Sequence, residues 1–191
     1  MKALLYLALF SAVLAAQERV NPALTVKDIH GQTQQPFRAR AKASVVFFIT
    51  DDCPISNRYA HEIRRICESN SGRANCTLAY IDPDMTPTKV EKHMSEFGHG
   101  AYPAVIDSKH TLVKAAGATV TPEAAVILAD GTVAYRGRID NTYVTFGQSR
   151  REATEYDLKN ALDQIASGKP VAVPRTKAVG CYITPLELLG R

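Results

Sequence analysis

The segment Ser44-Val45-Val46-Phe47-Phe48-Ile49-Thr50 constrains this chain more than any other. An unbroken β-branched and aromatic run of that length reads as a strand buried on both faces. It leads directly into Asp51-Asp52-Cys53-Pro54. Proline is favoured at the first position of a helix, so Pro54 predicts a helix start with Cys53 as its N-cap. Ile55, Tyr59, Ile63 and Ile66 then recur at spacings of four, four and three. That spacing marks the apolar face of a helix over 54–69.

The rest of the chain alternates in the same way. Residues 24–28, Gly31 and Phe37 predict a short entering hairpin. Residues 75–81 read as a second strand. Thr86 and Pro87 open a helix that runs to Phe97 and stops at Gly98. Residues 104–107 read as a short strand, followed by a helical or turn segment ending at Gly117. Segments 124–128 and 132–135 flank Asp130-Gly131, a two-residue hairpin signal. A last helix is expected over 150–167, capped by Ser149, with Leu158, Leu162 and Ile165 facing the core and Gly168 ending it. Strands alternating with helices before a hairpin predict an α/β domain over 17–168, with a central mixed β-sheet flanked by helices.

Both ends stand apart. Lys2 precedes an apolar run over 3–16 broken only by Ser11, and Val13, Ala15 and Ala16 supply a small-residue cleavage site. Residues 1–16 are therefore expected to be a signal peptide, with a retained anchor as the alternative. The mature chain would be periplasmic or secreted, with no integral membrane segment. The tail over 169–191 carries Pro170, Pro174 and Pro185, which oppose a helix and predict an extended strap bearing Cys181. The 23 basic and 19 acidic residues are spread along the chain, which makes no case for nucleic acid. There is no phosphate loop and no dinucleotide fingerprint, so no cofactor is expected.

Cys53 carries the chemistry. At a helix N-terminus its sulfur faces unpaired N–H groups and the positive end of the dipole, which favours the reactive thiolate. Asp51 and Asp52 oppose this, and Arg58 and His61 would offset them. Three residues on, where a second thiol would complete a Cys-x-x-Cys pair, stands Ser56. The four cysteines allow three pairings, and spacing alone does not choose among them. A local structural disulfide between Cys67 and Cys76 is expected in an exported protein. A soft-metal site from Cys53, His61 and Cys181 is conceivable, but no metal is expected.

The run 45–54, together with Tyr102-Pro103-Ala104-Val105-Ile106-Asp107, Gly117-Ala118-Thr119-Val120-Thr121-Pro122-Glu123 and residues 130–137, resembles the thioredoxin superfamily. It looks closest to exported redoxins of the alkyl hydroperoxide reductase and thiol-specific antioxidant type. The resemblance implies a thioredoxin-like fold and a cis-proline at Thr121-Pro122 beside the active cysteine, shaping a substrate groove with Pro54 and Ser56. It also implies that Thr50 and Cys53 match the Thr-x-x-Cys of peroxiredoxins, although Val46 stands where that family has a proline. Arg138 is the best candidate for the family's catalytic arginine. Similar redoxins carry a C-terminal Gly-Cys, so Cys181 is the candidate resolving thiol. A static bond to Cys53 or a free thiol are the alternatives.

The sequence therefore points to an exported thiol–disulfide oxidoreductase acting on a protein thiol or disulfide, with a reductant of unknown identity. A thiol peroxidase reducing small hydroperoxides through Thr50 and Cys53 is the first rival. A redoxin-fold module that binds copper or a partner protein, without catalysis, is the second.

Overall fold

The computed structural model describes residues 17–100 and 102–190. The expected signal peptide lies outside the described residues. β1 (Val26–Lys27) and β2 (Thr33–Gln34) form the entering hairpin. β3 (Ala43–Ile49) leads into α1 (Pro54–Ser69), then β4 (Ala74–Tyr80), α2 (Pro87–Phe97), β5 (Ala104–Ile106) and α3 (Thr111–Ala116). β6 (Val120–Thr121), β7 (Glu123–Ile127), β8 (Val133–Gly137), β9 (Tyr143–Thr145), β10 (Gln148–Ser149) and α4 (Asp157–Ala166) follow. β11 (Cys181–Tyr182) and a 3-10 turn (Leu186–Leu189) close the described chain.

The central sheet has five strands in the order β5-β4-β3-β7-β8. β3 is parallel to β4 and antiparallel to β7, so the sheet is mixed. Every residue of β3 is buried, as its apolar run predicts. Side chains alternate across a strand, and β3 divides accordingly. Val45, Phe47 and Ile49 pack with Ile55, Tyr59, Ile63 and Ile66 of α1 and with Leu158 and Leu162 of α4. Val46 and Phe48 pack on the other side with Phe37 and with Leu112, Val113 and Ala116 of α3. Helices thus cover both faces, and the C-terminal end of β3 delivers Cys53 to the edge of the core. Among the described residues, no helix is long and apolar enough to cross a membrane.

Two expected elements differ. The last helix starts at Asp157, not at Arg150. Ser149 is not its cap, because Ser149 pairs with Tyr143 in a β9–β10 ribbon. Beyond it, the backbone N–H groups of Thr154 and Glu155 donate to the side chain of Asn141, at 2.8 and 3.1 Å, rather than to a helical turn. The hairpin at Asp130-Gly131 is not a two-residue loop. Gly131 N donates to Leu128 O at 3.0 Å and Leu128 N to Thr132 O at 2.9 Å, so the pair ends a four-residue turn. Gly131 has φ +84, and a Cβ there would overlap Val20 O. Only glycine meets both conditions without strain.

The proline-punctuated tail is extended and ordered along the domain. Pro174 O accepts from Arg136 N, and Thr176 N donates to Arg136 O, so the tail first runs beside β8. It then crosses to pair β11 with β6 in antiparallel register, Cys181 opposite Thr121. Within it, Ala178 and Leu186 are buried.

One core feature sets a pH dependence. His99 is 1% exposed, and neither ring nitrogen has a hydrogen-bond partner among the described residues. Burial, with His93 nearby, pulls its pKa down to about 4. The folded state therefore keeps His99 neutral where the unfolded chain, near the ordinary 6.5, is protonated. The unfolded state binds more protons between those values, so stability falls as pH drops through that window. From pH 7 to 4.5 this residue should cost about 2–3 kcal/mol. Urea unfolding at the two pH values should show a smaller loss for His99→Leu than for the wild type. An equal loss in both would refute the assignment.

Candidate active site

Cys53 is the N-cap of α1 in extended conformation (φ −83, ψ 110), and Pro54 opens the helix. Its carbonyl accepts from Asn57 N at 3.0 Å. As a thiol its side chain makes no capping bond, and the Ser56 N–H at N3 becomes a partner of the sulfur only in the thiolate. The sulfur is fully buried, because the segments of β6 and β11 close over it. As a thiol, Cys53 Sγ donates to Thr121 O at 3.2 Å. The Thr121–Pro122 peptide is cis.

The tail approaches this point without clearance. A Cβ on Gly180 would overlap Thr121 O and lie 3.2 Å from Pro122 N. Glycine there lets β11 lie against β6, and that contact brings the next residue, Cys181, onto Cys53. Cys181 is half-buried, and both cysteines are free. Two hydroxyls nearby, Ser56 Oγ and Thr121 Oγ1, are buried without a partner among the described residues.

The two thiols have opposite electrostatics. Burial pushes Cys53 up, but hydrogen bonds outweigh it and hold the thiol below its ordinary pKa. They come from the Cys181 thiol, from Ser56 through its N–H and hydroxyl, and from Cys181 N–H. The orphan Ser56 hydroxyl thus finds its acceptor when Cys53 is a thiolate. Hydrogen bonding to the charged form, more than Arg58 or His61, does the lowering. Cys181 is pushed up to about 12 by burial, then by its bond to Cys53 and the negative charges of Cys53 and Asp52.

Other expected site residues fall differently. Pro54 is exposed at the helix start, and Thr50 is buried. Thr50 Oγ1 donates to Asp52 Oδ1 at 2.8 Å, so its proton is engaged rather than aimed at a substrate oxygen. Arg138 is not free for a substrate either. Its guanidinium donates to Asp157 at 2.7 Å and also to Glu155, which neutralise it at the end of β8. Cys67 and Cys76 are disulfide-bonded, joining the end of α1 to β4, at the far end of the helix from Cys53. His61 is exposed on α1. Among the described residues no group of three or more His, Cys, Asp or Glu is arranged to hold a metal, so the Cys53–His61–Cys181 set is not assembled.

Three contributors escape sequence reasoning. The Thr121 carbonyl and the Cys181 N–H are backbone groups and carry no residue-type signal. Gly180 had one: it directly precedes Cys181, and a glycine beside a tail cysteine is the residue that permits close backbone approach.

Comparisons agree with this architecture. The solved structure of an uncharacterized conserved protein from Geobacillus kaustophilus superposes with a TM-score of 0.75 at 22% identity, covering 88% of this chain and 91% of that one. A hypothetical protein from Sinorhizobium meliloti 1021 gives 0.73 at 21% identity, covering 87% and 92%. A secreted disulfide oxidoreductase from Mycobacterium tuberculosis gives 0.52 at 14% identity, covering 76% and 95%. At these identities the likeness establishes the fold, which is thioredoxin-like. A search of the curated proteins found no match. The AhpC/TSA family model matches residues 18–136, a stretch that includes Thr50, Cys53 and Thr121-Pro122. The chain is thus a thioredoxin-superfamily redoxin and belongs to the AhpC/TSA family.

Proposed function

We propose that this redoxin is an exported thiol–disulfide oxidoreductase in which Cys53 is the nucleophile and Cys181 resolves it. The reading rests chiefly on one observation: β11 pairs with β6 and sets Cys181 opposite Thr121, the residue whose carbonyl accepts from the Cys53 thiol. Export is supported by the apolar run over 3–16 and by the Cys67–Cys76 bond, which persists in oxidising compartments.

The cycle balances in two steps. With the tail lifted, the Cys53 thiolate attacks one sulfur of a partner disulfide, forming a mixed disulfide and releasing the partner's first thiolate. Cys181 then gives up its proton and attacks Cys53 Sγ. A Cys53–Cys181 disulfide forms, and the partner's second thiolate leaves and takes up a proton. The partner gains two electrons and the two cysteines lose them; run backwards, the same steps oxidise a dithiol. The high pKa of Cys181 orders these events. Part of it comes from the Cys53 negative charge, which disappears once Cys53 is in the mixed disulfide. The resolving thiol is thereby activated by the first step.

Peroxide reduction has less support, because Thr50 is bonded to Asp52 and Arg138 to two carboxylates. A metal-binding module lacks an assembled ligand set among the described residues. The deciding experiment treats reduced protein with one equivalent of 2-hydroxyethyl disulfide, or of hydrogen peroxide, and maps its non-reduced peptides. A Cys53–Cys181 bond with steady disulfide turnover and negligible peroxide turnover is expected. A Cys53 sulfenic acid with no bond to Cys181 would sink the reading.

The thiolate ultraviolet absorbance offers a second check. Wild type should titrate in two steps, the first below the ordinary thiol value of about 8.5 and the second far above it. In Cys181→Ala a single step should remain, above the wild-type first step, because the thiol that donates to the thiolate is gone. An unmoved step would mean that Cys181 does not stabilise Cys53.

A further inference from the structure

Cys181 sits on the wall of a cleft of about 1000 Å³ that the redox cycle does not use. One side is the tail from Thr176 to Tyr182, and the other is the β9–β10 ribbon. Two features make it unlike ordinary surface. Val144, Phe146 and Tyr182 line it and are exposed, Phe146 at 72% and Tyr182 at 83%. Large apolar side chains held in water around one concavity mark a binding surface. Its charge is also one-sided. Arg136, Arg138, Arg150, Arg175 and Lys177 line it, against Glu18 and Glu123. Arg136, Arg138 and Arg175 are ion-paired, but among the described residues Arg150 and Lys177 have no acidic partner.

The opposite side of the strap has the reverse sign. There a cleft of about 440 Å³ shares Cys181 and Tyr182 and is lined by Thr50, Asp52 and Asp82. The strap therefore separates a cationic, aromatic cleft from an anionic one, with the resolving thiol on the border. A hydroperoxide of a few atoms would leave the larger cleft nearly empty, since about 300–1000 Å³ accommodates a drug-sized ligand. A side-chain-rich extended segment fills such a volume and reaches the sulfur.

We propose that this cleft is the docking site for an extended peptide of the partner protein, with acidic and aromatic residues on one flank of its reactive cysteine. The acidic flank meets Arg150 and Lys177, the aromatic side chains lie on Val144, Phe146 and Tyr182, and the cysteine is held beside the strap at Cys181, from where it reaches Cys53 once β11 leaves β6. Asp52 and Asp82 repel the same flank from the other side, which gives docking a direction. This names the substrate class of the oxidoreductase reading and rests on it only for the chemistry, not for the binding.

The test separates the two. A fluorescent nonapeptide with aspartates and phenylalanine on one flank, and serine in place of its cysteine, reports binding to the full chain by anisotropy without any redox step. Its counterpart carries lysines instead of aspartates. The aspartate peptide should bind about tenfold or more tightly at low salt, and the gap should shrink as salt screens the charges. In the double variant Arg150→Glu and Lys177→Glu the preference should reverse towards the lysine peptide. Both positions are exposed, and a circular-dichroism melt checks that the variant is folded. Equal binding of the two peptides, no binding of either, or an unchanged preference in the double variant overturns the proposal. Exchange of 2-hydroxyethyl disulfide by the wild type tests the chemistry separately: its absence, with peptide preference intact, removes the oxidoreductase reading and leaves the docking site.

Discussion

Replacing Cys53 with serine should reduce disulfide exchange to background, a loss on the order of 10³-fold or more, because the step runs through a thiolate that serine cannot supply. Cys181→Ser should have a different signature. The substituted side chain keeps a hydroxyl able to donate to Cys53, so the first step survives. The second step lacks its nucleophile, and a one-to-one mixed disulfide should accumulate at Cys53. Non-reducing electrophoresis and intact mass with a disulfide-bearing protein probe distinguish these outcomes. Full turnover by Cys181→Ser would exclude Cys181 from the cycle. A trapped adduct at Cys181 in Cys53→Ser, with continued turnover, would reverse the assigned order.

Gly180→Ala should also slow the cycle, though it removes no reactive atom. The new Cβ would overlap Thr121 O and come within 2.7 Å of Thr121 C. Both are backbone atoms beside the buried Cys53, with no flexible side chain to give way. Overpacking of this kind costs about 1–3 kcal/mol. The tail has an easier escape than the sheet, since β11 holds to β6 by two register pairs while β3 and β7 share five. The expected result is therefore a detached strap on an intact domain. Hydrogen exchange should speed up over 180–183, and formation of the Cys53–Cys181 bond should slow by at least about tenfold, as the thiols lose their fixed alignment. Exchange in β3 should be unchanged. Wild-type rates of bond formation in Gly180→Ala would show that the close approach is not needed.

The parts of the fold that were legible are those in which local and global signals agree. The apolar run of β3, Pro54 at the start of α1 and the Gly98 stop of α2 each specify an element by composition and position. The start of α4 was not legible because residues 150–156 contain no strong helix breaker. Their backbone is held instead by the Asn141 side chain, a partner that periodicity does not reveal. Asp130-Gly131 marked a turn but not its length, since a glycine at positive φ serves either loop.

The site divides along the same line. Cys53, at a strand–helix junction, announced itself. The strap's landing on β6 did not, because β11 is two residues long and pairs with another two-residue strand. The cationic cleft is assembled from Glu18, β8, the β9–β10 ribbon and the tail, so no single stretch of sequence carries its charge pattern.

The landing of β11 on β6 has a kinetic consequence. The edge beside Pro122, where an incoming peptide would pair with Thr121, already holds a strand of the same chain. A tethered segment competes at an effective concentration in the millimolar range, well above that of most free protein partners. An outside strand therefore gains that edge only in the fraction of time the tether is open, and its apparent affinity falls by that fraction. The chain is in this sense the resident ligand beside its own Cys53, and under the proposed function partners would be selected by how well they displace it.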